Sequence, residues 1–283
     1  MSSCTYFNIN YQLESLRLSG LTNTEQSNNC PVLCLHGWLD NAASFLPLFP
    51  YMKDKPMVAI DLAGHGLSSH RDKGAHYHFI DYVYDLLALF EHNHWQNVAV
   101  VGHSMGGMIA TAFAAAFPEK VSTLTLIDSI GFVTEPVQNT TTNLRSGILS
   151  RFKNLSKQKS VHHSLQSAIE ARENVSDLNY KQAKLLVERG ILLTEKGYRW
   201  RSDSRLRTKS PLKLSTEQAK QLIQDIKIPV QLICGDKGLS MVKEGIKCYQ
   251  SNFQKLDIYS LTGGHHVHME QPEKVASLIK KFI

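Results

Sequence analysis

Ser104 lies in Gly102-His103-Ser104-Met105-Gly106-Gly107, directly after the β-branched run at 97–101 and directly before an Ala-rich stretch at 108–117 that Pro118 stops. A strand running through G-x-S-x-G into a helix makes a sharp turn that forces the serine into a strained backbone conformation, and only small residues at 102 and 106 let the flanking chain pass so closely. The hydroxyl is then presented at a helix N-terminus, whose amides favour developing negative charge. This is an arrangement for nucleophilic attack on a carbonyl carbon.

A serine hydroxyl is a weak nucleophile until a base takes its proton, so a histidine must come from elsewhere among the 13 in the chain. The last apolar run, 256–261, empties into Thr262-Gly263-Gly264-His265-His266, and a histidine on that loop can hang over the edge where Ser104 sits. His265, His266 and His268 are the candidates for the base. Leu35-His36-Gly37-Trp38 ends an early strand, and the backbone N–H of Trp38, with that of Met105 after the nucleophile, would meet a carbonyl oxygen as it becomes an oxyanion. Asp61-Leu62-Ala63-Gly64-His65-Gly66 reads as a tight loop that Asp61 braces.

The elements that must position these groups are short apolar runs bounded by turn residues, at 31–35, 57–60, 98–101, 124–127, 230–234 and 256–261. Between them lie helical patterns, most clearly at 79–90, where Ile80, Val83, Leu87 and Phe90 recur at 3–4 residue spacing, and at 272–282. Alternation of strand and helix implies a mostly parallel sheet with helices on both faces. The interval between the strand near Asp128 and the one at Val230 is far too long for one crossover, so an inserted subdomain is expected there. The stretches 142–152, 160–173 and 178–189 have helical composition. The expected division is a core at 1–130 and 229–283 and a helical cap at 131–228.

The formal charge of +6 sits unevenly: residues 131–228 hold 18 Lys and Arg against 9 Asp and Glu, and the remainder 13 against 16. The basic residues are dispersed, with no aromatic-basic motif or helix-turn-helix signature, so no nucleic-acid partner is expected. Five cysteines (Cys4, Cys30, Cys34, Cys234, Cys248) include no C-x-x-C pair, which argues against a disulfide framework or a zinc knuckle and for a reducing compartment. No apolar run approaches the roughly 18–20 residues of a membrane span, and no charged-then-apolar leader opens the chain. A soluble, uncleaved, cytoplasmic protein without cofactor or metal is expected; the oligomeric state is left open.

Four motifs in order, His36-Gly37-Trp38-Leu39-Asp40-Asn41, Asp61-x-x-Gly64-His65-Gly66-x-Ser68, Gly102-His103-Ser104-Met105-Gly106-Gly107, and Gly264-His265 followed by Glu270-Gln271-Pro272, resemble the landmarks of the α/β-hydrolase fold superfamily. The Gly-Trp-Leu-Asp-Asn-Ala turn and the Val267-His268-Met269 segment resemble the serine hydrolase-like proteins within it. The resemblance implies Ser104 as nucleophile, His265 as general base and the segment near 131–228 as a cap that selects a small-molecule acyl substrate. The surplus of positive charge makes an anionic substrate the expectation. Relatives that open epoxides or displace halides carry Asp at the nucleophile position, so the serine here points instead to a carboxylic ester or thioester. The family also includes acyltransferases, carbon–carbon bond hydrolases and slow-turnover ligand-binding proteins, which stay as alternatives. The third member of the triad usually lies three residues past the glycine ending the seventh strand, but here that position is Gly238. Asp128, at the end of the sixth strand, is therefore the expected acid, with Asp236 as the alternative.

Overall fold

A computed structural model describes residues 5–25, 31–154 and 160–283; Cys4 and Cys30 lie outside the described residues. The chain runs β1 (Phe7–Gln12), β2 (Arg17–Thr22), β3 (Val32–Leu35), β4 (Met57–Ile60), α1 (Phe79–His92), β5 (Val98–His103), α2 (Met105–Ala116) and β6 (Val121–Ile127). After β6 come α3 (Thr140–Asn154), β7 (Val161–His162), α4 (Leu165–Glu173), α5 (Tyr180–Gly190), β8 (Ile191–Thr194), β9 (Gly197–Trp200) and α6 (Thr216–Gln224). The chain closes with β10 (Val230–Gly235), α7 (Ser240–Tyr249), β11 (Leu256–Leu261), α8 (Val267–Glu270) and α9 (Pro272–Phe282).

Eight strands form one sheet in the order β1-β2-β4-β3-β5-β6-β10-β11. The run from β4 to β11 is parallel, while β2 pairs antiparallel with both β1 and β4. The central strands are buried at nearly every position because both faces are covered. In β3, Leu33 and Leu35 face a layer built by α1, α2, α6 and α7, whereas Val32 and Cys34 face the 42–52 segment with α8 and α9. The β1–β2 hairpin was not anticipated: its strands sit at the sheet edge, with one face of β1 in water. In α1 the buried stripe is Tyr82, Val83, Leu86, Leu89 and Phe90, and Ile80 lies outside it at 66% exposure.

The segment between β6 and β10 differs from the expected helical cap at 131–228 in two ways. It contains an antiparallel sheet, β7-β9-β8, whose β8–β9 turn uses Gly197 at φ 111°. Its last helix, α6, belongs to the core layer, since Ala219 and Ile223 pack in the main apolar cluster beside α2. The insertion is pinched at its base, where Glu135 N–H donates to the Leu214 carbonyl at 3.0 Å. Inside it, Ala168, Ile169, Leu178, Ala183, Leu186, Val187 and Ile191 form a separate apolar cluster that rests on Met269 of α8. Among the described residues no helix is long and apolar enough to cross a membrane.

Candidate active site

Ser104 occupies the turn between β5 and α2 at φ 51°, ψ −119°, a conformation that costs a non-glycine residue on the order of 1–3 kcal/mol. The surroundings hold it there. Ser104 N–H donates to the Ile127 carbonyl at 3.1 Å, and Ser129 Oγ donates to the Ser104 carbonyl at 2.7 Å. A Cβ at 102 would stand 2.5 Å from the Gly107 Cα, and one at 106 would run into the Leu35 carbonyl, so the close crossing requires glycine at both. Met105 begins α2, and its N–H has no carbonyl one turn back to bond. The β3 loop approaches from the other side, with Gly37 packed against His103 and the Ser104 Cβ.

The three candidate histidines have three different environments. His265 Nδ1 is 2.6 Å from Asp128 Oδ2. A carboxylate only accepts, so Nδ1 carries the hydrogen and Nε2 keeps a lone pair. His266 is buried between Asp177, 2.5 Å from Nδ1, and Asp40, 3.2 Å from Nε2. Burial lowers its pKa, but the attraction of Asp40 and Asp177 outweighs that and raises it to about 9. His268 is fully buried against Phe45, ring centroids 5.3 Å apart, and burial pushes its pKa down to about 3. Of the three, His265 is the one held by a carboxylate at Nδ1 while Nε2 stays clear of one: His266 has a carboxylate at each ring nitrogen, and the His268 ring has no hydrogen-bond partner among the described residues.

Asp128 also accepts from Gly235 N–H at 3.3 Å and Leu239 N–H at 3.2 Å. Asp236 accepts from Gly263 N–H at 3.0 Å, which holds the turn after β11. Asp61 lies outside the cavity lining and is a bracing group: its carboxylate accepts from Ala42 N–H and Leu67 N–H, each at 2.8 Å, and pairs with Arg189 at 2.8 Å. His36 fixes the loop that carries Trp38. Its Nε2 accepts from Leu62 N–H at 3.0 Å, so Nδ1–H donates to the Gly37 carbonyl at 2.7 Å. Full burial holds this imidazole neutral, with its pKa down at about 4.

Ser104, His265 and Trp38 line one cavity of about 690 Å³ between the sheet edge and the insertion. The insertion closes one side. Trp38 Nε1–H donates to the Leu206 carbonyl at 3.1 Å, and the Arg207 guanidinium lies 5.8 Å from the indole ring. Arg172 of α4 pairs with buried Asp40 at 2.6 Å. Arg172, Arg207 and Lys237 all reach the lining. Sequence reasoning missed the network of Asp40, Arg172, Asp177 and His266. Asp40 stood in a visible motif, but its partners Arg172 and His266, 132 and 226 residues away, left no local signal.

An α/β-hydrolase fold family model matches residues 31–272. A serine hydrolase-like protein from Danio rerio is 34% identical over 91% of this chain and 82% of its own. Serine hydrolase-like protein 2 from Homo sapiens is 32% identical, covering 89% of this chain and 86% of its own. Among solved structures, a hypothetical protein from Pseudomonas aeruginosa PAO1 superposes with a TM-score of 0.89 at 32% identity, covering 97% of each chain.

Proposed function

Given that this chain belongs to the α/β-hydrolase fold family and is a hydrolase of the serine hydrolase-like kind, we propose that it cleaves a small carboxylic ester or thioester through an acyl-enzyme on Ser104. The observation that carries the reading is the 2.6 Å His265–Asp128 pair beside a strained serine on the same cavity wall. In the proposed cycle, His265 Nε2 takes the Ser104 hydroxyl proton and Oγ attacks the carbonyl carbon. The N–H groups of Trp38 and Met105 hold the oxyanion, and Asp128 fixes the tautomer and stabilises the imidazolium. His265 then protonates the leaving group and later activates water on the acyl-enzyme. No step calls on a cofactor or metal. Acyl transfer is the same cycle with another acceptor in place of water.

A fluorophosphonate probe tests the reading. It should label the wild type and leave Ser104→Ala unlabelled, and p-nitrophenyl acetate turnover should fall with the labelling. A well-folded wild type that takes no label would overturn the proposal and favour the ligand-binding alternative.

The cations at the lining, Arg172, Arg207 and Lys237, favour a substrate that carries a carboxylate or phosphate away from its scissile bond. Attraction of that kind is screened over roughly 8–10 Å at ordinary salt. The expected result is a kcat/KM for an anionic ester that exceeds that of its neutral analogue and falls as salt is raised. Equal values at both salts would refute this part. The three described cysteines, Cys34, Cys234 and Cys248, are free thiols, which fits a cytoplasmic setting.

A further inference from the structure

We propose that Asp40, His103 and His266 form a binding site for a transition-metal dication of the zinc class in the wall of the substrate cavity. Asp40 Oδ2 lies 3.2 Å from His266 Nε2 and 3.8 Å from His103 Nδ1, and the three atoms lie within 4.8 Å of one another. A triangle of that size admits an ion at about 2–2.4 Å from each corner, within reach of the bond lengths that zinc makes to imidazole nitrogen and carboxylate oxygen.

Each ligand is already oriented from behind. His103 Nε2 is 3.0 Å from the His265 carbonyl, which only accepts, so Nε2 carries the hydrogen and Nδ1 presents a lone pair. That Nδ1 is fully buried, has no hydrogen-bond partner and faces the carboxylate oxygen. An unpartnered buried acceptor is costly unless something electrophilic occupies the gap. His266 Nδ1 is held by Asp177 at 2.5 Å, the carboxylate–histidine arrangement that leaves Nε2 for a metal. Arg172 takes Asp40 Oδ1 at 2.6 Å and leaves Oδ2 for the ion.

When the ion enters, metal–nitrogen and metal–oxygen bonds form, and the proton that His266 Nε2 shares with Asp40 leaves to solvent; nothing is oxidised or reduced. Two imidazoles and one carboxylate select borderline ions such as Zn²⁺ over Mg²⁺ or Ca²⁺. All three residues line the cavity, so the ion has the substrate's own route in. The rings of His103 and His266 lie 4.6 and 5.2 Å from that of His265. Because His103 Nε2 is hydrogen-bonded to the His265 carbonyl and all three ligands line the substrate cavity, an ion there occupies the wall beside the general base, so occupancy switches the hydrolase down and a chelator switches it back.

The test uses the full chain stripped with a chelator. Zn²⁺ is titrated against a chromogenic chelator, bound metal is counted by elemental analysis, and p-nitrophenyl acetate turnover is followed over the same range. One Zn²⁺ per chain is expected, with turnover falling as the site fills and Mg²⁺ without effect. His103→Gln and His266→Gln should each weaken zinc binding by about ten-fold or more. Co²⁺ supplies a readout independent of mutagenesis, since a four-coordinate site gives intense visible bands. Any of three results overturns the proposal: no stoichiometric zinc, zinc affinity unchanged in both folded variants, or only the weak bands of six-coordinate cobalt. Stoichiometric zinc with undiminished turnover overturns the inhibitory role.

Discussion

The carboxylate of Asp128 fills the volume that a side chain at position 238 would need, since a Cβ there would collide with both of its oxygens. Position 238 is the one from which the fold's third triad member would ordinarily come, so in the proposed cycle the acid has an alternative origin but the same destination. Asp128→Asn should therefore lower kcat/KM on p-nitrophenyl acetate by about 10³–10⁴-fold, as loss of the tautomer-fixing carboxylate does in serine proteases. Asp236→Asn should stay near the wild type, and the reverse ranking would reassign the acid. A swap tests the geometry further. Asp128 has φ 41°, where glycine is unstrained, so Asp128→Gly empties the space without distorting the turn. Adding Gly238→Asp should then recover about ten-fold or more of the loss by returning a carboxylate to His265; no recovery in a folded double variant would contradict the overlap. Much of this was legible in the chain itself: a strand ending in aspartate and a glycine in the usual acid position are both local features. Which of three neighbouring histidines meets that acid was legible only through the family resemblance, which singles out His265; residue type and spacing left it open, because it depends on how the Gly263-Gly264 turn rotates the loop and on where Asp40 and Asp177 capture His266.

Among the elements, strands β3 to β6 and β10, buried on both sides, announce themselves as short apolar or β-branched runs. At the margins the two edges differ: β11, though mostly exposed, still reads as a strand from Leu256, Ile258, Tyr259 and Leu261. The β1–β2 hairpin alternates Phe7, Ile9 and Tyr11 with polar residues, a period of two that the apolar-run criterion passes over. In α1 the spacing was correct but the stripe was rotated, because Asp85 is drawn inward by Arg71 at 2.6 Å while Ile80 lies at the exposed first turn. The α5 helix is tied to the core by a buried ion pair, Arg189 with Asp61, beside the hydrogen bonds that Asn41 donates to the Leu186 carbonyl and Gln182 to the Met269 carbonyl. Arg189→Met should cost about 2–4 kcal/mol, less than a fully stranded charge, since Asp61 keeps its two backbone donors. Urea unfolding measures this directly. A change below about 0.5 kcal/mol would mean that the backbone donors alone satisfy Asp61.

For the molecule as a whole, buried neutral histidines set the response to acid. His36 and His65, rings 5.0 Å apart, have pKa values lowered by burial to about 4 and about 3. Arg189 deepens the first shift, His36 and His65 repel each other's charge, and Asp40 and Asp61 pull the other way. The unfolded chain takes up these two protons near pH 6.5 and the folded chain does not, so stability is complete above 6.5 and falls as pH drops toward 4. The slope should be on the order of 1.4 kcal/mol per pH unit for each histidine. His266, raised to about 9, is protonated in both states through most of this window and adds little slope. Urea midpoints between pH 7 and pH 4.5 check the trend; burial holds His103 and His268 down in the same sense, so His65→Gln should remove about a quarter of it, and a flat profile would refute it. The hydrogen bond between Glu135 and Leu214 has a consequence of another sort. Entry and exit of the inserted segment meet at one doorway, so the core constrains the insertion there and where Arg172, Asp177, Arg189 and Leu206 reach back to it. For a flexible loop, doubling the length between two joined ends costs about 0.6 kcal/mol. Descendants of this sequence can therefore lengthen or trim the stretches of the insertion that lie between its contacts with the core, such as Arg172 with Asp40 and Arg189 with Asp61, while the sheet and its serine turn are inherited unchanged.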